Sequence, residues 1–142
     1  RSSTALAEFL GFYLNLILDN VRVISNGISD TFEQMLNLGE GDLVIGIGFP
    51  RYALKTIDAL EFAKTRNAKI VSITDSLISP LASQSDHTLI AQSNMASFVD
   101  SLVPALSISN ALAISVGMKE KEDIKQHFDD LEQIWKRYSV YE

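Results

Sequence analysis

Three hydroxyl side chains, Ser2, Ser3 and Thr4, lie at the start of the chain, where a helix is predicted to begin. Hydroxyls beside the unpaired backbone N–H groups of a first helical turn can cradle an anion, and the helix dipole favours negative charge there. Serine is also a common N-cap residue in helices that bind nothing. The local sequence therefore leaves two interpretations open, an anion site or an ordinary helix cap.

Residues 46–52, with the sequence Gly-Ile-Gly-Phe-Pro-Arg-Tyr, form a second candidate site. The two glycines match the start of the dinucleotide fingerprint G-x-G-x-x-G, but Arg51 occupies the third glycine position, which argues against a nicotinamide cofactor. The phosphate loop G-x-x-x-x-G-K-S/T is also absent. Gly48 would let a ligand approach the backbone, and Arg51 and Lys55 could bind phosphate. The alternative is a pair of solvated surface charges.

Other side chains with catalytic potential are sparse. Asp75 could be the phosphoacceptor of a receiver-like domain, but that chemistry needs further acidic residues to hold a cation, so a turn-forming aspartate is favoured. His87 and His127 have no neighbouring serine and aspartate in a triad arrangement. The chain has no cysteine, which excludes thiol nucleophiles, disulfides and cysteine-ligated metals. The sequence predicts neither a metal site nor a cofactor.

The predicted helices and strands alternate along the chain with short connections. Helices are predicted over 4–18, 31–38, 53–66 and 99–118, and strands over 21–24, 43–48, 69–73 and 88–91. Asp30 is expected to cap the second helix, Gly39 to end it, and Ser79-Pro80 to begin a further short helix. This alternation is typical of an α/β fold with a parallel sheet, whose ligands bind at the carboxyl ends of the strands. Because such a sheet usually begins with a strand, we expect one to precede Arg1.

The overall composition narrows the function classes. The 142 residues fit one domain with a net charge of −6, and the sequence shows no basic face of the kind that neutralises DNA phosphates. No apolar run reaches the roughly 18 residues that suggest a membrane span. Residues 119–142 are rich in charge and predict a terminal helix that docks on the domain or on a second subunit. Its apolar stripe consists of Ile124, Phe128, Leu131, Ile134 and Tyr138, with Trp135 beside them.

Four segments together resemble one protein family. They are R-S-S-x-A-L-A-E-F-L at 1–10, G-D-L-V-I-G-I-G-F-P-R-Y at 41–52, I-T-D-S and S-P-L-A within 73–82, and S-F-V-D-S-L and N-A-L within 97–112. In this order they resemble the sugar isomerase (SIS) domain of RpiR/MurR-type bacterial transcription regulators over residues 1–118. The resemblance implies a three-layer αβα sandwich, flavodoxin-like, with a five-stranded parallel sheet whose first strand lies upstream of Arg1. Residues 119–142 remain as a C-terminal amphipathic helix.

The resemblance also implies a function. Regulators of this family bind a phosphosugar effector through the SIS domain, usually as homodimers or tetramers. They contact DNA through a helix-turn-helix domain that would lie upstream of Arg1. A protein of this kind would be cytoplasmic and would bind no membrane, need no cofactor and catalyse no reaction.

The same resemblance suggests which residues hold the ligand. Ser2 and Ser3 match the family's first phosphate loop. In the second loop, Gly48 and Ala53 occupy positions where related regulators often carry serine, so two phosphate-binding hydroxyls are missing and Arg51 would supply charge instead. The expected ligand-binding set is Ser2, Ser3, Gly48, Arg51, Asp75 and Ser97, the last two on the sugar side.

Two alternative functions remain open from the sequence. A phosphosugar isomerase or lyase on the same fold would need a general base beside the carbonyl carbon, and Glu8 is the only nearby candidate in this chain. A SIS-like dimerisation module that has lost its ligand is suggested by the absence of hydroxyls at Gly48 and Ala53.

Overall fold

The computed structural model describes residues 2–25, 30–92 and 101–141. These ranges contain three strands and five helices that precede the strands, alternate with them along the chain or follow them. In chain order the elements are α1 (Ser2–Asn15), α2 (Thr31–Gln34), β1 (Leu43–Ile47), α3 (Leu54–Thr65), β2 (Lys69–Thr74), a 3₁₀ turn (Ala82–Gln84), β3 (His87–Ile90), α4 (Val103–Lys119) and α5 (Lys121–Tyr138).

The three strands form one parallel sheet in the order β1-β2-β3. Gly46 lies opposite Ser72, and Ser72 lies opposite Thr88 on its other side. Since parallel neighbours need a crossover connection, α3 carries the chain from the end of β1 back to the start of β2. The predicted parallel sheet is confirmed, and its three described strands end at one edge, which we call the carboxyl edge.

Helices cover both faces of the sheet, which gives the predicted three layers. Side chains alternate between the faces, so Ile70 and Ile73 of β2 belong to different cores. The core beneath α1 and α4 consists of Leu6, Leu10, Leu14, Ile47, Ile73, Ala91, Ala105 and Ala113. The core beneath α3 consists of Met35, Leu60, Ala63, Ala68, Ile70 and Leu81.

The strand predicted over 21–24 is wrong, because these residues follow α1 without entering the sheet. A Cβ added to Gly11 of α1 would overlap the Cγ2 methyl of Val23, so Val23 lies directly against the helix. Val21 packs against the core beneath α1 and α4. Val21 and Val23 are therefore half-buried against α1 and the core beneath it, outside the sheet.

The predicted cap of α2 is confirmed, but the helix is one turn long rather than reaching residue 38. Asp30 Oδ1 accepts a hydrogen bond from the N–H of Phe32, and Glu33 Oε2 accepts one from the N–H of Asp30, both at 3.1 Å. This is a capping box. Beyond the helix, Arg66 Nε donates to the Leu38 carbonyl at 2.9 Å, which gives that carbonyl a partner outside any helix.

The remaining elements lie close to their predicted positions. The short helix expected at Ser79-Pro80 is the 3₁₀ turn, and Ser79 Oγ accepts a hydrogen bond from the Ala82 N–H at 3.1 Å. The helix predicted from residue 99 begins at Val103, and residues 99 and 100 lie outside the described ranges. The predicted C-terminal helix is α5, which packs on α4.

Candidate functional site

The carboxyl edge brings together the loops that follow the three strands. Ile47 pairs with Ile73, and the next residue, Gly48, donates its N–H to the Ile73 carbonyl at 3.1 Å. On the other side of β2, Ala91 donates its N–H to the Thr74 carbonyl at 2.8 Å. The loops after β1, β2 and β3 therefore start beside one another, at the place where parallel α/β sheets bind ligands.

Asp75 follows β2 and is held by two hydroxyl donors. The Tyr52 hydroxyl donates to Asp75 Oδ1 at 2.6 Å, and Thr74 Oγ1 donates to the same oxygen at 3.1 Å. Burial first, and then the bond to Asp75, raises the pKa of Tyr52 to about 12. The phenol therefore stays protonated near neutral pH and acts as the donor in this pair.

Arg51 lies in an unusual backbone conformation in the loop after β1. Its φ is 63°, in the left-handed region that non-glycine residues seldom occupy. Its side chain is exposed, and within residues 2–25, 30–92 and 101–141 its guanidinium has neither a hydrogen bond nor an ion pair. Lys55, the other cation suggested for phosphate, is already bound to Asp30 Oδ2 at 3.1 Å. Of these two cations, only Arg51 is left to meet an anion.

The structure gives Gly48 a packing role. A Cβ at this position would lie 2.8 Å from Leu81 Cδ2, and Leu81 is fully buried. Its N–H is also engaged by the Ile73 carbonyl, so it is not free to bind a ligand. The lack of a serine at Gly48 is thus explained by the close approach of the Leu81 side chain.

The helix α3 begins three residues beyond Arg51. Its N-cap residue is Ala53, with extended backbone angles and no side-chain hydrogen bond to the first turn. The first-turn N–H groups of a helix carry partial positive charge, and a hydroxyl at the cap would normally occupy one of them. Ala53 therefore leaves this positive helix end uncapped beside Arg51.

The remaining predicted ligand residues are less completely described. Ser2 starts α1, and Ser3 lies half-buried in its first turn, which contains no acidic residue. Leu6, one turn later, belongs to the same core as Ile47 and Ala91 at the carboxyl edge. Ser97 lies outside the described residues.

The candidate acid–base residues lie elsewhere. Glu8 lines a groove of about 300 Å³ together with residues of α1 and of the segment that follows it, namely Gly11, Phe12, Asn15, Val21 and Val23. His87 opens β3 at the opposite edge of the sheet, and His127 Nε2 lies 3.6 Å from Asp19 Oδ1. Neither histidine thus joins the residues around Asp75.

The described residues contain no cluster of three or more His, Cys, Asp or Glu side chains suited to a metal ion. Among the described helices, none combines the length and the apolar character needed to cross a membrane.

Sequence reasoning missed Tyr52 as a member of the site. Asp75 and Arg51 are candidates because they lie just after predicted strands, and Gly48 is one because a glycine at the end of a predicted strand lets a ligand approach the backbone. Tyr52 was noted only as part of the Phe-Pro-Arg-Tyr segment, and its partner Asp75 is 23 positions away. The sequence feature that could have identified Tyr52 is its position directly after Arg51, in a loop at the predicted ligand-binding edge.

Comparison of sequences places the chain among known proteins. The profile of the SIS domain family matches residues 1–115. The chain is 25% identical over 126 residues to an HTH-type transcriptional regulator of Caldanaerobacter subterraneus, a match that covers 84% of this chain and 45% of that protein. This chain thus spans less than half the length of that regulator.

Two solved structures share the fold. The Vibrio vulnificus NanR protein, complexed with ManNAc-6P, is 21% identical with a TM-score of 0.75, covering 97% of this chain and 53% of NanR, which shows the fold alone. The sugar isomerase domain of the RpiR transcription factor from Sphaerobacter thermophilus is 30% identical with a TM-score of 0.85, covering 92% of this chain and 73% of that one. The chain belongs to the SIS domain family, in the group formed by the sugar isomerase domains of RpiR-type transcription regulators.

Proposed function

We propose that this chain is the effector-binding domain of a bacterial transcription regulator and that its effector is a phosphosugar. The observation that carries the proposal is the 30% identity to a regulator's sugar isomerase domain across 92% of this chain. NanR, which has the same fold, is complexed with ManNAc-6P, a phosphorylated amino sugar. The polar groups at the carboxyl edge are of the kinds that bind such a ligand.

The phosphate end is assigned to the positive groups after β1. The Arg51 guanidinium has no described partner, and α3 begins beside it without a side-chain cap. Both a guanidinium and a helix N-terminus favour a bound anion. Ser2 and Ser3, in the first turn of α1, are assigned as further hydroxyl donors. These groups would take the place of the hydroxyls that Gly48 and Ala53 lack.

The sugar end is assigned to Asp75, with Ser97 as a second polar residue. A carboxylate accepts hydrogen bonds from sugar hydroxyl or amide groups, whereas it repels a phosphate group. The two ends of the ligand would thus be distinguished by charge, with phosphate toward Arg51 and sugar toward Asp75.

Effector binding would act on DNA through an upstream helix-turn-helix domain. A phosphosugar that binds one arrangement of a dimer better than another shifts the population of the two and changes the spacing of the DNA-binding domains. The net charge of −6 on this chain fits a basic surface carried elsewhere. We assign α5, whose Phe128, Ile134 and Tyr138 are exposed, to the contact with a second subunit. A regulator acting in this way would work in the cytoplasm.

Titration calorimetry with a panel of sugars tests the proposal. The panel contains hexose 6-phosphates and their N-acetylated amino counterparts, ManNAc-6P included, each beside the unphosphorylated sugar. We expect at least one phosphorylated sugar to bind and its unphosphorylated partner to fail. A ligand at 100 times its Kd should raise the unfolding free energy by about 2.7 kcal/mol. Absence of binding and of any thermal shift across the panel would contradict the proposal and favour a ligand-free dimerisation module.

Arg51→Asn tests the phosphate end. Asparagine tolerates left-handed backbone angles, so the variant removes the charge without adding backbone strain. We expect the phosphosugar Kd to rise by about tenfold or more, the value of one charged hydrogen bond. Lys64→Gln removes an exposed charge in the last turn of α3 and is the matched control. Equal effects of the two variants would contradict the role of Arg51.

The isomerase alternative needs a base at the ligand, and Glu8 lines a groove with Val21 and Val23 instead. We therefore expect no turnover of ketose or aldose phosphates. Turnover that is abolished by Glu8→Gln would overturn the non-catalytic assignment.

A further inference from the structure

The Tyr52 hydroxyl connects two of the loops in the proposed ligand site. It belongs to the loop after β1 and donates to Asp75 Oδ1, in the loop after β2, at 2.6 Å. Thr74 Oγ1 donates to the same oxygen at 3.1 Å. Among the described residues, Asp75 Oδ2 has no hydrogen-bond partner. One carboxylate oxygen is therefore fixed by two donors, while the other remains free to accept.

Tyr52 is anchored independently of Asp75. Its ring packs against the core beneath α3, which contains the fully buried side chains of Leu60 and Leu81. The phenol oxygen is thus a fixed point at the carboxyl edge, and its hydrogen bond restricts rotation of the Asp75 carboxylate. Because the carboxylate is already oriented, binding a ligand to it costs less conformational entropy than binding to a carboxylate that rotates freely.

We propose that Tyr52 is a positioning residue that orients Asp75 so that Oδ2 faces the hydroxyl or amide donors of the sugar, an inference that rests on the proposed phosphosugar function. Tyr52 acts through Asp75 and does not itself contact the phosphate. Because an ionised carboxylate is an acceptor only, the pair selects ligands for donors on the sugar ring. The Tyr52–Asp75 pair therefore distinguishes one phosphosugar from another by the sugar end of the ligand and not by its phosphate.

Tyr52→Phe in the intact protein tests this inference with two probes, inorganic phosphate and the best-binding sugar phosphate of the panel. We expect the Kd for the sugar phosphate to rise by about tenfold, while the Kd for inorganic phosphate changes by less than about twofold. Tyr13→Phe removes a hydroxyl that has no described hydrogen bond and should change neither value. In an Asp75→Asn background the effect of Tyr52→Phe should shrink. Equal losses for both probes, or no loss for either, would overturn the proposal.

A second measurement needs no ligand. Removing the Tyr52 hydroxyl should speed backbone hydrogen exchange at residues 75–78 several-fold and leave α4 unchanged, because only the loop after β2 loses its restraint. Tyr13→Phe should have the wild-type pattern. If the wild-type protein binds no phosphosugar, the proposed function fails, yet faster exchange would still support the positioning of Asp75. Unchanged exchange in Tyr52→Phe would refute that positioning whether or not a ligand binds.

Discussion

The two edges of the sheet each hold an aspartate, and the fold uses them differently. At the edge where the strands begin, which we call the amino edge, Asp86 Oδ2 accepts a hydrogen bond from the Ile70 N–H at 2.8 Å, and its Oδ1 lies 3.4 Å from Lys69 Nζ. At the carboxyl edge, Asp75 Oδ1 is bound by the Tyr52 hydroxyl, and Oδ2 has no partner among the described residues. Both carboxylate oxygens of Asp86 thus have partners within the fold, whereas Asp75 has one oxygen that can still accept a hydrogen bond from a ligand.

The basic side chains also differ in whether they have a partner within the fold. Lys69 pairs with Asp86, and Lys55 pairs with Asp30 at 3.1 Å. The Arg51 guanidinium has no described partner, and its φ of 63° departs from the conformation that its residue type prefers. Left-handed angles also occur at Asn67, just before β2, and at Ser139, so the unpaired guanidinium and not the backbone angle distinguishes the two edges. The contrast supports the carboxyl edge as the ligand-binding edge.

The largest expected effect concerns the packing beneath the carboxyl edge. Leu81→Ala should lower the unfolding free energy by about 2–5 kcal/mol, because it leaves a cavity in a fully buried position. Gly48→Ser should cost about 1–3 kcal/mol, since its Cβ meets Leu81. The double variant should cost less than the sum of the two, because the smaller side chain at position 81 makes room. Urea unfolding measures all three.

Gly39→Ser is the control for that series, since a Cβ there meets nothing within 4 Å. It should leave the unfolding free energy close to the wild-type value. Strictly additive costs for Gly48→Ser and Leu81→Ala would contradict the packing explanation. They would favour the alternative that Gly48 serves to let a ligand approach the backbone.

Exchanging each aspartate for asparagine tests the contrast itself. Asp75→Asn should weaken phosphosugar binding by about tenfold, because it removes a charged acceptor, while thermal stability changes little. Asp86→Asn should lower the melting temperature and leave the phosphosugar Kd unchanged. Calorimetric titration and thermal unfolding of both variants give the comparison. A loss of affinity in Asp86→Asn as large as that in Asp75→Asn would remove the distinction between the two edges.

The sequence was sufficient for features that depend on local patterns. The order of elements, the parallel sheet and the Asp30 cap follow from periodicity and capping chemistry within a few residues. The strand predicted over residues 21–24 is wrong, because Val23 lies half-buried against α1 instead of in the sheet. Asp75 and Arg51 could be selected as site candidates because both follow apolar strands.

The rest depends on contacts between distant residues or on backbone geometry. The Tyr52–Asp75 bond and the close approach of Leu81 to Gly48 join segments far apart in the sequence, and no local pattern encodes them. The left-handed conformation of Arg51 was also not predictable, since such positions are normally identified by glycine or asparagine.

Ala53→Ser supplies the cap that α3 lacks at the carboxyl edge. A serine at an N-cap position typically adds about 1 kcal/mol to the unfolding free energy, because its hydroxyl oxygen accepts a first-turn N–H bond. Urea unfolding should show this gain, and Ala53→Val should show none. If Ala53→Ser also changes the phosphosugar Kd, the start of α3 takes part in phosphate binding as proposed. A loss of stability in Ala53→Ser would show that the cap geometry is not as described.

The smallest expected effect is the pH dependence contributed by the amino edge. The hydrogen bond from the Ile70 N–H, and then the charge of Lys69, lowers the pKa of Asp86 below its ordinary value of 3.8. The unfolded chain therefore binds this proton more readily, so the stabilisation is complete above about pH 5 and is lost as the pH falls through the lowered folded pKa. Asp86→Asn should flatten that part of the acid unfolding profile, measured by urea unfolding between pH 3 and 7. Lys69→Gln should keep most of the slope, because the backbone donor is the larger cause, and complete loss of the slope in Lys69→Gln would show instead that the exposed ion pair governs the amino edge.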